Sequence, residues 1–572
     1  MKLTRRVAQR LAAVVAVGAL VPMMTPTLTG ASGTSGSSSS STTTTFTEPV
    51  GQALPAPTVP GAPALPFSGT VAPTATPSTT MGILNVTPDT GVEGQPFTVS
   101  GTGLPANTSV ELTWGTASAT WVADVEPNTV NYLGRSATNF NVVMATVTTD
   151  ANGAFTFDTT APVDFGGIHD IYAVVNGVEL SHGGFEMYRT VSVTPSKGPI
   201  GTLIHITYTA LGSTLYGSGG VVLWDNHYVG NMSGNWTRGT ATVTIRATGP
   251  VGRHVVSVED GMGFSYLNVV QSPVPYLNGG SAIFTTTPGT MKLTPYAIWP
   301  DQITPTVSER TTLQAAGLDT ASTATATLST TSGTVGSKVT VTASGLSANG
   351  TDQLSWSTVV GSRVNCPTSS CWNFATDPLG SATVANGSLS ATITVPDGLG
   401  GWHVVQVLNG TKVEAQVPFY VKESIVPFYN KQGEVVSMGV ATANDANTPA
   451  AIAAGQSGTG TYTFHEGQEF TISLKGVGWT QLDNTLAVDY DNSYIGYGCG
   501  FNSNGYMVIH LHATGGPGIH LIDLYPLLYN QQPSFPNTQG GMIPILSFAN
   551  NTPGLALGYQ IPSFKFAIRI VK

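Results

Sequence analysis

The chain has 572 residues, only 9% of them charged, with 67 Gly and 21 basic against 31 acidic side chains. Such an alphabet excludes long charged helices, and its acidic balance excludes a surface that gathers nucleic acid. The length leaves room for several cores of ~100 residues each, and the abundance of Thr and Gly favours strands and turns, so an all-β protein of several modules is expected.

Lys2, Arg5, Arg6 and Arg10 precede an apolar run from Leu11 to Val21, then small and turn-forming residues to Ala31, the plan of a secretory signal peptide over residues 1–31. Its removal takes away four basic residues and no acid, leaving 17 against 31, a formal charge of about −14. The run is short for a bilayer span and no second one follows, so a protein without a transmembrane segment after cleavage is expected, secreted or held at the extracellular cell surface. Residues 32–82 are Ser/Thr-rich and then Pro-rich, with little periodic apolar content, and read as a disordered stalk or linker.

The folded part is expected from residue 83. Module 1 (83–190) opens with Val86-Thr87-Pro88 and a Gly turn at Gly91 and Gly94, then an alternating run to Gly103-Leu104. Module 3 (326–424) repeats this without a gap: Gly91, Gly94, Val99, Gly103, Leu104 and Trp114 recur 242 residues later as Gly333, Gly336, Val341, Gly345, Leu346 and Trp356. Module 2 (191–275) carries Trp224-Asp225-Asn226 and Ala247-Thr248-Gly249. Module 4 (425–572) carries Tyr490-Asp491-Asn492 and Ala513-Thr514-Gly515, each 266 residues on. Two constant offsets imply duplication of a two-module unit. Residues 276–325 read as a Pro/Thr-rich connector, and 441–460 and 524–559 as loop insertions in module 4.

Each module also contains Gly-x-His followed by alternating apolar residues, at His169, His254, His403 and His520. The period of two turns each histidine toward its own module's core edge. A buried His bonded to turn backbone, in the role of a structural corner, explains all four without a metal.

Together the opening Gly pattern, the central Trp strand and the Gly-x-His strand resemble bacterial immunoglobulin-like domains of the IPT/TIG and related surface-repeat type, over most of residues 83–424 and the body of module 4. The resemblance implies tandem β-sandwiches, used in secreted and surface proteins as spacers, adhesins or surface-layer components.

Cys366 and Cys371 are spaced to close a small loop and are expected as a disulfide in an oxidising compartment, in preference to half of a metal site; Cys499 has no partner. Asp225-Asn226 and Asp491-Asn492 read as two-residue hairpin turns. Tyr490, Tyr494, Tyr497 and Tyr506, with Trp402, offer a candidate ligand face, aromatic enough to suit a glycan. No catalytic motif stands in a fitting context, and no cofactor or metal is implied. The expected function is therefore a non-enzymatic surface or extracellular protein with a structural, adhesive or self-assembling role, its partners being surface components, glycans or other copies of itself. The alternative is a glycan-binding protein or accessory module using module 4, and an extracellular hydrolase comes third.

Overall fold

The computed structural model describes residues 63–126, 129–213, 219–262, 264–271, 280–291, 296–298, 318–347, 349–362, 371–425, 462–478, 484–500, 503–529, 542–546 and 563–572, all within one compact unit. The expected signal peptide, the expected stalk up to residue 62, Cys366, the expected loop at 441–460 and most of the expected 524–559 insertion beyond Tyr529 lie outside the described residues. Strand is the dominant state among those described, and no helix among them is long and apolar enough to cross a membrane.

The first module contains β1 (Thr76–Ile83), β2 (Asn85–Thr87), β3 (Thr90–Gly91), β4 (Pro96–Gly101), β5 (Ser109–Glu126), β6 (Thr129–Thr148), β7 (Phe155–Thr160), β8 (Gly167–Val175) and β9 (Val178–Met187). One sheet is β2-β4-β7; the other runs β1-β9-β8-β5-β6, with β3 also beside β9. Alternation makes the sandwich: in β4, Phe97 and Val99 are buried while their neighbours are not, and they meet Val110, Leu112 and Trp114 from β5 across the gap.

The second module repeats the plan with β10 (Thr190–Thr194), β11 (Lys197–Ile200), β12 (Leu203–Thr209), β13 (Gly219–Trp224), β14 (His227–Ser233), β15 (Ala241–Arg246), β16 (Gly252–Met262), β17 (Phe264–Ser265) and β18 (Gly280–Thr290). A short β19 (Tyr296–Ile298) follows. The third has β20 (Thr325–Leu328), β21 (Ser332–Thr334), β22 (Lys338–Ser344), β23 (Gly350–Ser362), β24 (Cys371–Val384), β25 (Ser388–Thr394), β26 (Gly401–Asn409) and β27 (Lys412–Lys422). The fourth has β28 (Ser424–Ile425), β29 (Tyr462–His465), β30 (Glu469–Lys475), β31 (Thr485–Tyr490), β32 (Ser493–Cys499), β33 (Met507–His512), β34 (Gly518–Tyr529), β35 (Met542–Pro544) and β36 (Ser563–Val571). Each has a three-stranded sheet (β10-β12-β15, β20-β22-β25, β28-β30-β33) and a larger one in the first module's order: β11-β18-β16-β13-β14, β21-β27-β26-β23-β24 and, with β19 at its edge, β19-β36-β34-β31-β32. Each has its own buried core. This is an all-β chain of immunoglobulin-like sandwiches.

Two expected boundaries move. Part of the 32–82 linker is docked on the first module. There β1 pairs in parallel with β9, the Ala72 amide donates to Asn141 O at 2.9 Å, and Phe67 meets the Trp114 ring edge-on at 5.3 Å. Its Ser/Thr/Pro composition concealed a strand held by backbone bonds, with almost every side chain exposed. The 276–325 connector likewise yields β18, which completes the second sandwich by pairing with β16 and β11. Phe284 is its one large inward residue and is fully buried; Gly, Ser and Thr around it mask the alternation.

Consecutive modules meet through a joint made twice. Gly166 N donates to Leu211 O at 2.9 Å and Leu211 N to Gly239 O at 2.9 Å; in the second pair Gly400 N donates to Val477 O at 2.9 Å and Val477 N to Gly505 O at 3.1 Å. A Cβ on Gly166 would lie 1.9 Å from Ala210 O, and one on Gly400 1.7 Å from Gly476 O, so only glycine permits the approach. The duplication preserved the joint together with the modules.

Candidate functional site

The four histidines lie beside the aromatic residue of the neighbouring strand. His169 stacks on Trp114 (4.2 Å between ring centroids), His254 on Trp224 (4.9 Å) and His403 on Trp356 (4.6 Å), while in the fourth module Tyr490 lies tilted against His520 at 5.8 Å. In every case Nε2 contacts the carbonyl four residues earlier: Phe165 O at 2.6 Å, Pro250 O at 2.8 Å, Leu399 O at 2.9 Å and Gly516 O at 2.9 Å. The Nδ1 partner is supplied by the residue after the aromatic, and here the modules differ. The odd ones offer a backbone carbonyl, Gly115 O at 2.7 Å and Ser357 O at 2.9 Å, whereas the even ones offer a carboxylate, Asp225 and Asp491, each at 2.6 Å. Burial, only partly offset by the Ser357, Leu399 and Gly400 backbone, pulls the His403 pKa down. Burial also lowers that of His520, but the bond and charge of Asp491 outweigh it and leave the value raised.

The turns feed the same corner. Asp225-Asn226 and Asp491-Asn492 both have positive φ at the two positions, the backbone of a tight hairpin. Gly249 and Gly515 leave room for the imidazoles, whose Cε1 atoms would lie 2.9 Å and 2.6 Å from a Cβ there.

The candidate ligand face does not assemble as one surface. Tyr490 points into its corner and its hydroxyl donates to Thr514 O at 2.7 Å. Tyr494 meets Tyr228 of the second module edge-on at 5.8 Å, because the second module covers that side. Tyr506 is half-buried and lies 5.9 Å from Lys475 Nζ, and Tyr497 stands exposed. Trp402 faces Tyr420 in the strand register, but its side chain lies outside the described residues, as does that of Cys371. The Cys366–Cys371 pair is therefore not described, and Cys499 is an exposed free thiol.

The most unusual chemistry lies between the second and fourth modules, where it was not expected. The large sheet of the fourth module turns its outer face onto the second: Leu521 and Ala567, paired across β34 and β36, are 2% and 0% exposed. Val255 and Ile283, their counterparts across β16 and β18, are 42% and 36% exposed. Asn492 Nδ2 donates to Arg246 O at 2.8 Å, Thr248 Oγ1 to Asp491 at 2.7 Å and Leu546 N to Asn231 O at 2.9 Å across this contact.

Within it, Asp489, Asp523 and Lys565 stand side by side in register on β31, β34 and β36. The same register in the second module holds Leu223, Ser257 and Ser281, so the fold does not require the charges. Arg246 enters from the end of β15, with Nη2 2.5 Å from Asp523 Oδ1 and Nε 3.3 Å from Oδ2, and it also donates to Phe566 O at 2.5 Å. Lys565 Nζ lies 3.5 Å from Asp523 Oδ2 and 3.9 Å from the centroid of the Tyr525 ring. All four charged side chains are essentially sealed from water. Burial, with the nearby Asp523 charge adding to it, pushes the Asp489 carboxyl well above the usual range. Burial brings the Lys565 amine down to about 8, with Asp523 opposing the shift and Arg246 adding to it. Comparing module 4 with module 2 at the constant offset of 266 is the sequence signal that would have found the two acids, Asp489 and Asp523 where the repeat has Leu223 and Ser257; Lys565 matches Ser281 only in the strand register.

No family model matches the chain, and no curated protein matches it. Solved structures do. E. coli alpha-2-macroglobulin aligns at 9% identity over 84% of this chain and 30% of its own, with a TM-score of 0.16, so this chain spans less than a third of that protein. The E. coli adhesin FdeC aligns at 14% identity over 62% of this chain and 99% of its own, with a TM-score of 0.14. A putative membrane anchored protein from Corynebacterium diphtheriae aligns at 10% identity over 86% and 91%, with a TM-score of 0.16. Scores this low establish no shared arrangement of domains.

Proposed function

We propose that this is an exported, non-enzymatic array of immunoglobulin-like modules of the IPT/TIG-like surface-repeat type, acting at the cell surface as a structural or adhesive element whose partners are surface components or further copies of itself. The observation that carries the reading is the joint made twice, Gly166 to Leu211 and Gly400 to Val477. A backbone-to-backbone joint retained through duplication sets the relation between neighbouring modules, which a spacer or assembling element requires and a single ligand pocket does not. The leader-like residues 1–31 and the acidic, weakly charged surface agree with export.

The test is fractionation of producing cells combined with electron microscopy of their surface. The protein is expected in the surface or wall fraction, as a layer, fibre or studded array. Recovery solely from the cytoplasm would overturn the proposal. Glycan binding by the fourth module is the weaker reading, because Tyr490 and Tyr494 are committed to the corner and to Tyr228.

A further inference from the structure

We infer that Lys565 and Asp523 form a covalent amide bond between β36 and β34, closed by the protein itself with Asp489 as its proton-transfer acid. This goes beyond the surface role proposed above and does not depend on it.

Three observations lead there. The first is register: Asp523 and Lys565 are direct cross-strand partners, and Nζ already lies 3.5 Å from Oδ2, so no strand has to move for the atoms to meet. The second is the state of the groups. Among the described residues, Lys565 Nζ and both oxygens of Asp489 lack a hydrogen-bond partner although all are buried. An ammonium that fully used this site would donate three bonds; this one faces a tyrosine ring and one distant carboxylate. The third is contrast. Asp164, the buried carboxylate between the first and second modules, accepts from Trp114 Nε1, Thr116 Oγ1, Arg238 Nη2 and Phe165 N, as a purely structural acid should. The Asp489–Asp523–Lys565 group has the same burial without that satisfaction.

The step balances within the chain. Lys565 gives its ammonium proton to the Asp523 carboxylate, leaving a neutral amine beside a neutral carboxyl. The Nζ lone pair attacks Asp523 Cγ, the N–C bond forms, and the carbonyl electron pair moves onto oxygen, where the Arg246 guanidinium faces the developing charge. The protonated Asp489 carboxyl gives its proton to the departing hydroxyl, the C–O bond breaks and water leaves. Asp489 then takes the surplus proton from the nitrogen and is regenerated. Nothing is oxidised or reduced, and one water is the only by-product. In open water hydrolysis would oppose the bond; here closing it removes a buried cation and a buried anion from a sealed site.

The test is a mass measurement on the purified protein, denatured and then digested with trypsin. No Lys or Arg lies between Lys475 and Lys565, so an unmodified chain yields peptide 476–565. The bonded chain, no longer cut at Lys565, yields 476–569, lighter than its sequence mass by one water. That product is expected as the main species. Recovery of 476–565 at full mass, with Lys565 open to acetylation after denaturation, would overturn the inference. In Asp489→Ala the free peptide should return, and a bond that still closes there would remove Asp489 from the step. Asp523→Asn provides a check that does not depend on losing the bond: an amide formed from Asn leaves the peptide lighter by one ammonia instead of one water.

Discussion

Among the described residues, the charges buried around Asp164 and those buried around Asp523 both lie between modules, and they are built on opposite principles. At the joint of the first and second modules, Asp164 is satisfied on every side and Arg238, stacked on Phe165, also reaches Ala117 O at 3.2 Å and the Thr116 hydroxyl. Between the second and fourth modules, Arg246 engages Asp523, while Lys565 and Asp489 remain short of partners. A buried ion pair seldom adds net stability, but a broken one costs a great deal. The first group therefore acts as a brace that must stay whole, and the second as a group of reactants held together.

That contrast can be broken most forcefully at Arg238. Arg238→Ala leaves Asp164 buried without its cation and should cost about 3–5 kcal/mol in urea unfolding of the full chain. A loss below 1 kcal/mol would mean that the joint does not depend on the brace. Next come the glycines of the shared joint: Gly166→Ala and Gly400→Ala should each destabilise by about 1–3 kcal/mol. Because Gly398 and Asn504 replace Asp164 and Arg238 at the second joint, Gly400→Ala is expected to lengthen the particle more in X-ray scattering; equal lengthening in both variants would make the charges irrelevant to the joint.

His254→Ala removes a buried hydrogen-bonded ring and leaves a small void, costing about 1–3 kcal/mol by calorimetry, with no change on adding a chelator. An unshifted melting temperature would remove the histidines from the structural framework.

The smallest effects are those of pH. Burial raises the Glu93 carboxyl to about 7, with the Ala210 backbone opposing and the Asp164 charge adding to the shift. Since the folded value exceeds the unfolded 4.5, the first joint should gain stability as pH falls through 7 and lose it as pH rises, and Glu93→Gln should flatten that dependence in thermal scans. His520 behaves likewise, its raised value giving stabilisation that is lost as pH rises through it. His403, lowered below 6.5, should lose stability as pH falls below that value. Proton NMR titration of the imidazole Cε1–H signals should place the two on opposite sides of 6.5.

What the sequence disclosed was local and periodic. Gly-x-His, the Trp strand and the two constant offsets were legible because each depends on neighbours within a few residues or on exact repetition. The docked strand β1 was not, since Thr76–Ile83 contributes backbone pairing and nearly no buried side chains. The joints were equally hidden: Gly166 and Leu211 are ordinary residues until one backbone meets the other. The Asp489–Asp523–Lys565 group was visible only as scattered charge, although Leu223 and Ser257 at the matching positions of module 2 held the clue.

One feature common to all modules has a mechanical consequence. In each, the strand that opens the larger sheet lies parallel to the strand that closes it: β1 and β3 beside β9, β11 beside β18, β21 beside β27 and β29 beside β36. Tension applied to the two ends of a module pulls such a pair in opposite directions along their length. Their hydrogen bonds, which cross between the strands, are then loaded together in shear instead of being peeled apart in turn. An array under tension would yield by abrupt rupture of whole modules, each releasing a long stretch of chain, and not by gradual fraying.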